Sequence, residues 1–496
     1  MIMLVPENNH NTAVIDIGSN SVRLVIYRIE GRSIWPLFNE KILAGLGRDL
    51  RQTECLHPQG KKDTLIALRR FKAILESYTL SKVHVVATAA LRDAADGPEF
   101  AHEIERVTGF KVRTLTGREE AHYAGQGVRC GQLEAEGFVG DLGGSSLELI
   151  NLDPQSTFKG LTLPLGPFAL GAPKPMDVEK TYGLIRTQLD PLRSQFRAKT
   201  FHAVGGAWRN LALIWMMKVN YPLQIIQQFE LSARDALTIA RLVAIQSPTS
   251  LEKFPGVSKR RMENISYAAL VLQGLIECFE IETICFSANG LREGLLFDDL
   301  PDTYKNLDPL IEGCANFGAR HGISENLGPA LAAWATEFYD SVDVDRPSEK
   351  LIKAAAKLAD IGARLHPDHR ADLVCDQVLR APIPGQNHAE RVFLACALYT
   401  RYSGDAYTKE PVLVSRILGD ERHLQATQLG LTLRLGCDLS AKSAKLLKMA
   451  HIRQDDKTLI VSAKAGWDDL LLGEQTRKRA RALANALKLS LRTESY

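Results

Sequence analysis

The chain of 496 residues has no apolar run near the ~18 residues needed to cross a bilayer. Lys218 interrupts the stretch that begins at Leu211, and Gln273 interrupts the one from Ala268. The start, MIMLVPENNH, lacks a basic region followed by an apolar core, so a secretory leader is not expected. There is no C-x-x-C pair among the eight cysteines (Cys55, Cys130, Cys278, Cys285, Cys314, Cys375, Cys396 and Cys437). That excludes a zinc ribbon and argues against a disulfide framework. The chain also lacks the apolar poverty of a disordered protein, with 45% hydrophobic and 24% charged residues. A cytoplasmic protein without membrane segments is expected, and no nucleic-acid-binding module is recognised. Because single cores stop growing at roughly 250–300 residues, two to four domains are expected.

The net charge is only +3, but it is unevenly spread. Residues 441–496 hold twelve Lys/Arg against six Asp/Glu. A basic end of this kind suits a polyanion, although on charge alone a solvated helix face is the simpler reading.

Residues 13–17 (AVIDI) read as a buried strand that turns through GSNS into the β-branched run VRLVIYRI. Helical spacing follows over 64–79, then a strand at 83–87 and a helix at 98–108, the alternation of an α/β domain. A second α/β stretch starts near residue 137 with GFVGDLGGSSLELINL. It continues through strand-turn-helix patterns at 200–215 and 282–296. Beyond a Pro- and Asp-rich linker at 298–309 the chain reads as helical, apart from a β-like piece at 457–463 and a final basic helix. The expected domains are 12–126, 127–300 and 301–496.

The sequence also repeats itself. Asp16-x-Gly18-x-x-Ser21-x-x-Leu24 matches Asp141-x-Gly143-x-x-Ser146-x-x-Leu149 at a constant offset of 125 residues. A single D-x-G-x-x-S is more often a hairpin turn than a phosphate loop. Two copies, one per α/β stretch, favour a pair of phosphate loops, because small residues let backbone N–H groups converge on an anion.

This pattern resembles the acetate kinase–actin–Hsp70 superfamily and, more closely, the exopolyphosphatase/guanosine pentaphosphate phosphohydrolase (Ppx/GppA) family. The residues that carry the resemblance are AVIDIGSNSVRLVIY (13–27), ATAALRDA (87–94), LTGREEAHYAGQGV (115–128), GDLGGSSLELI (140–150), LPLG (163–166), AVGGAWRNLA (203–212) and SANGLREGLL (287–296). The fold implied is α/β, two actin/Hsp70-like (ribonuclease H-like) lobes followed by an all-α HD-like domain. The resemblance implies phosphate binding by Gly18, Ser19, Asn20, Ser21, Arg92, Gly143, Gly144, Ser145 and Ser146. It implies Glu120 as the catalytic carboxylate and a Mg²⁺ ion near Asp141, Glu148 and Asp16. The activity implied is hydrolysis of terminal phosphate from inorganic polyphosphate, with guanosine pentaphosphate as the alternative substrate. A phosphotransferase and a non-catalytic sensor are further alternatives. A homodimer is expected.

The residues themselves leave other readings open. Glu119 and Glu120 are also what a helix N-terminus favours. Asp16 could hold a metal through water or cap its own loop. Arg92 could pair with Asp93 or Asp96. The second loop departs from the family's D-x-G-G-G-S-T-E at Ser145 and Leu147, and Ser145 requires a backbone conformation open to a side chain. In the helical region, two HD ligand positions are apolar (Leu327 and Ala359) beside Asp360, His388 and Asp438, so a degenerate site is expected. His366 and His369 lie in a Pro-containing loop, where metal binding is not expected.

Overall fold

The computed structural model describes residues 8–153, 155, 160–172, 176–246, 250, 262–342 and 345–496. The chain divides into two compact units, Met1–Asn306 and Leu307–Tyr496.

The N-terminal unit contains two sheets. In the first, β1 (Asn9–Ile17), β2 (Ser21–Glu30), β3 (Ser33–Leu43), β4 (Lys82–Ala87) and β5 (Arg113–Thr114) lie in the order β3-β2-β1-β4-β5. The hairpin pairs are antiparallel, whereas β1–β4 and β4–β5 are parallel. In the second sheet, β6 (Phe138–Leu142), β7 (Leu147–Asn151), β8 (Leu161–Leu163), β9 (Thr200–Val204), β10 (Phe229–Ser232) and β11 (Thr283–Phe286) lie in the order β10-β11-β9-β6-β7-β8. Without the edge strand β10, the two orders coincide strand for strand. The repeat in the sequence is thus a repeat of topology.

Both faces of the first sheet are covered, which explains why β1 is apolar at the consecutive positions Ala13, Val14 and Ile15 rather than alternating there. Ala13, Ile15 and Ile17 pack on one side with Leu68, Phe71, Phe100 and Ile104. Val14 packs on the other with Tyr27, Leu115, Tyr123 and Leu295. The helix Gly117–Gly131 serves both sheets, because its Tyr123 and Cys130 belong to that second cluster. Its Ala124 and Val128 join Val139, Leu152 and Val204 of the second sheet. This helix runs beside Leu291–Asp298 at backbone contact. A Cβ on Gly294 would lie 1.7 Å from the Tyr123 carbonyl oxygen, and one on Gly127 2.2 Å from that of Gly290.

Arg32 holds the far end of the same helix. It is 1% exposed and donates to the carbonyls of Cys130 (2.8 Å), Arg129 (3.2 Å) and Lys305 (3.4 Å). Its charge sits at the negative end of the helix dipole, and its guanidinium lies over the Phe297 ring at 5.0 Å.

The C-terminal unit is not all-α, contrary to the expectation. Its helices include Pro309–Arg320, Leu327–Ser341, Glu349–Leu358, Arg370–Arg380, His388–Ser403, Asp420–Leu439 and Glu474–Ala486. They are joined by a three-stranded sheet in the order β12 (Ala450–Asp455), β13 (Thr458–Ala463), β14 (Ser490–Ser495). The central strand TLIVSA is buried almost throughout, as its β-branched run demands. Of its partners, β12 has two buried residues and β14 none, so both carry a weaker signal.

Arg32→Met should lower the stability of the chain to denaturant by roughly 3 kcal/mol, since it leaves buried carbonyls without a donor. Equilibrium urea unfolding would measure it.

Candidate active site

The two repeated turns have the same internal geometry. Gly18 N–H donates to the Ser21 carbonyl at 3.0 Å, and Gly143 N–H to that of Ser146 at 2.9 Å. In the first turn the carbonyls of Ser19 and Asn20 accept from Gly47 (2.8 Å) and Gly45 (3.1 Å). In the second, those of Gly144 and Ser145 accept from Phe168 (2.8 Å) and Gly166 (3.3 Å). With their carbonyls so engaged, the N–H groups of Ser19, Asn20, Gly144 and Ser145 have no protein acceptor among the described residues. The turns face each other, since a Cβ on Gly144 would lie 3.2 Å from Ser19 Cβ. All eight predicted loop residues are therefore at one place.

The departures from the family pattern find their reasons here. No residue of either turn has a positive φ, so Ser145 fits without strain. Leu147 is fully buried in the core of the second sheet, where a hydroxyl would lack purpose. The close approach is instead at Gly166, whose Cβ would lie 2.3 Å from the Ser145 carbonyl carbon.

Glu120 sits in the first turn of the Gly117–Gly131 helix and is 6% exposed. Arg92 Nη1 donates to its Oε2 at 2.8 Å, while Arg92 Nε pairs with Asp93 at 3.0 Å. Arg92 is thus tied to Glu120 and Asp93, and Asp96 pairs instead with Lys61 at 3.3 Å. Glu119 caps the helix: its carboxylate accepts from Thr116 N–H at 2.9 Å and pairs with Arg113. These contacts hold its pKa down at about 2.

Asp141 and Glu148 are directly opposite each other across β6 and β7. Like charges in that relation repel. Neither oxygen of Glu148 has a donor in hydrogen-bond geometry, although Ser146 stands close enough to favour the charged form. Burial raises the pKa of Glu148 well above the carboxylate range, and the charge of Glu120 adds to it. Burial likewise raises Glu120 to about 7 against the pull of Arg92, with Asp141 and Asp16 adding repulsion. Asp141 rises to about 6 through burial, with Arg209 opposing and Asp16 adding.

Asp16 neither caps its loop nor stands free. Its Oδ2 is bound by Arg292 Nη1 at 2.7 Å. Arg292 and Arg209 were not singled out from the sequence, although both lie in the quoted motifs SANGLREGLL and AVGGAWRNLA. Arg209 donates to the carbonyls of Ser287 and Ala288. Glu293, beside Arg292, accepts from Tyr27 Oη at 2.6 Å and from Gly290 N–H at 3.0 Å. The signal for these arginines was positional: each follows a strand-to-turn junction. In the first sheet Asp16 pairs with Arg23, so Arg23 is the counterpart of Glu148 at the same 125-residue offset.

Among the described residues no three His, Cys, Asp or Glu converge as a protein cage for a metal. The donor set at Asp141 and Glu148 is nevertheless all oxygen, and Glu148 lacks donors. It fits a hard cation that completes its shell with water and substrate phosphate, as Mg²⁺ does.

The family model for the Ppx/GppA phosphatase family matches residues 25–303. This chain belongs to that family. A second model, described as the C-terminal domain of exopolyphosphatase, matches residues 320–491. The chain is 26% identical to the guanosine-5'-triphosphate,3'-diphosphate pyrophosphatase of Pseudoalteromonas translucida, over 73% of this chain and 74% of the relative. It is 23% identical to the protein of the same name in Aeromonas hydrophila, over 93% and 94%. Among solved structures, the Aquifex aeolicus member of the Ppx/GppA family is 26% identical with a TM-score of 0.50, covering 58% of this chain and 96% of that one. An exopolyphosphatase from Cytophaga hutchinsonii shares the fold, with a TM-score of 0.54 at 20% identity, covering 58% and 97%. The N-terminal unit of this family member therefore has the family's α/β two-lobe fold. Of the residues expected at HD ligand positions, Asp360 pairs with Lys442 at 2.8 Å and Asp438 with Arg479 at 2.7 Å. The His366 and His369 rings are 5.9 Å apart and exposed.

The raised pKa values fix a sign. A carboxyl whose folded pKa lies above its unfolded value binds a proton in the native state at a pH where the unfolded chain has lost it. Its contribution is therefore present at low pH and lost as pH rises through about 7. Relative to Glu120→Gln, the wild type should lose roughly 1–3 kcal/mol between pH 5 and pH 8. Paired thermal melts at the two pH values would measure it.

Proposed function

We propose that this chain hydrolyses terminal phosphoanhydride bonds, with inorganic polyphosphate as the first reading of its substrate. The observation that carries the proposal is Glu120. It is a buried carboxylate held by Arg92 within the field of Asp16 and Asp141, at the strand ends that lead into two facing turns with free N–H groups, and its pKa is raised to about 7. A base works best when its pKa lies near the working pH. In the proposed reaction the amides of Ser19, Asn20, Gly144 and Ser145 hold phosphate oxygens. Glu120 orients a water and takes its proton as the oxygen attacks the terminal phosphorus. The bridging P–O bond breaks, and the shortened chain leaves with its electron pair. Arg92 brings positive charge to the same point, which favours the charge-dispersed transition state. Asp141 and Glu148 would hold Mg²⁺, whose chemistry there is to neutralise phosphate charge. Asp16, with one oxygen committed to Arg292, is proposed to act through that pair.

A second reading, guanosine pentaphosphate, has a specific observation in its favour besides the names of the two relatives. A cavity of about 370 Å³ adjoins the second turn at Ser145, and Gly47 beside the first, and is walled by Leu50, Leu165, Phe168, Leu170 and Leu184, with Glu54 and Asp93 beside them. Arg51 also lines it, with Nη1 committed to the Ala169 carbonyl at 2.7 Å, so the walls are mostly apolar and suit an uncharged organic group.

Phosphate release from polyphosphate and from guanosine pentaphosphate, measured side by side with Mg²⁺, tests both readings. Glu120→Gln should lower kcat by about 10²–10⁴-fold with little change in KM. An unchanged kcat would sink the mechanism. Leu184→Asp should raise KM for the nucleotide alone. If neither substrate is hydrolysed, the sensor and phosphotransferase alternatives take precedence.

A further inference from the structure

The C-terminal unit contains a cationic cluster that the proposed reaction does not use. Arg401, on the His388–Ser403 helix, is 5% exposed. Its Nε is buried without a partner, and the carboxylate within ion-pair range, Asp360, lies 4.0 Å from Nη2. Its guanidinium rests over the Tyr402 ring at 4.8 Å. The same Asp360 oxygen is bound at 2.8 Å by Lys442. Arg434 directs Nη1 to the carbonyls of Arg401 and Tyr402, and its Nε is also buried without a partner. Asp438 is occupied by Arg479 at 2.7 Å.

The cluster therefore gathers more positive groups than the carboxylates Asp360, Asp438 and Asp405 match, and the deepest of them, Arg401, meets Asp360 at 4.0 Å and the weakly accepting thiol of Cys437. A buried guanidinium in that position is costly unless something accepts from it. The backbone supplies an independent sign. Ala441 and Lys442 are consecutive left-handed residues, with φ of 46° and 64°. The turn is held by Lys442 N–H on the Cys437 carbonyl at 3.0 Å. Non-glycine residues in this conformation carry strain, which collects at functional sites. Here the strained turn brings the Lys442 side chain to Asp360.

We infer that this cluster is a binding site for a phosphate-type oxyanion, anchored by the Arg401 fork and completed by Lys442 and Arg479. A guanidinium meets such an anion with two parallel N–H donors, which no lysine can supply. The anion satisfies Arg401 while Asp360 and Asp438 keep Lys442 and Arg479 in place. Free inorganic phosphate and the phosphate group of a larger molecule share this chemistry. The site stands whether or not the reaction proposed at the two turns is correct, because it shares no residue with it.

The test is calorimetric titration of the full chain with inorganic phosphate, in wild type, Lys442→Met, Arg401→Gln and Arg401→Lys. Lys442 is 41% exposed in its side chain, so Lys442→Met is expected to fold. The expected result is a class of phosphate sites that weakens at least tenfold in Lys442→Met and Arg401→Gln, and less in Arg401→Lys. Arg92→Gln should leave that class intact. Tripolyphosphate that competes for the class points to a phosphate group of a larger ligand, and failure to compete points to free phosphate. Unaltered phosphate binding in Lys442→Met overturns the inference and makes the cluster a structural ion-pair network. So does a phosphate class lost only in Arg92→Gln. If Arg401→Gln does not fold, Lys442→Met and Lys442→Glu decide between these outcomes.

Discussion

The site depends on the burial of several carboxyl groups close to one another. Glu120, Glu148 and Asp141 are brought together, with Asp16 near enough to add to their field. Such a group is tolerated only if countercharges come with it. Arg92, Arg209 and Arg292 supply them, each from the segment that follows a parallel strand: β4, β9 and β11 respectively. The carboxyl ends of those strands are where open α/β sheets gather their ligands. Burial raises the pKa values of these carboxyl groups and their mutual repulsion adds to it, against the pull of the arginines. In the proposed reaction a phosphate chain with its cation would relieve that imbalance.

That balance requires two sheets to hold their turns within van der Waals reach. The Gly117–Gly131 helix does this, because it packs on one sheet through Tyr123 and on the other through Ala124 and Val128. Its glycines let the Leu291–Asp298 helix approach at backbone contact, which carries Arg292 up to Asp16. Arg32 fastens the far end of the helix. The catalytic carboxylate proposed here thus sits at one end of the element most deeply committed to the core.

The C-terminal unit handles buried charge differently. Asp360 and Asp438, which the sequence led one to expect at HD ligand positions, are paired with Lys442 and Arg479. Leu327 and Ala359 are buried in the core around them. Positive side chains neutralise both carboxylates there.

Much was legible in the sequence. The 125-residue echo reported a duplicated strand-turn-strand, because a turn that must expose its amides tolerates few residue types. The apolar run of β1 reported a sheet covered on both faces. Less legible were the short strands β5 and β8, the edge strands β12 and β14, and the arginines that match the carboxylates. Edge strands carry half-solvated patterns, and an ion pair such as Arg292–Asp16 joins residues 276 apart in the chain. The sequence by itself determined which residues could bind phosphate and which strands could be buried, since those are properties of side-chain type and local period. Only the tertiary structure decided that Arg92 serves Glu120, that Asp16 belongs to Arg292, and that Glu148 lies without a donor. Charge, burial and partner are set by what packs against a group, and local sequence does not contain that information.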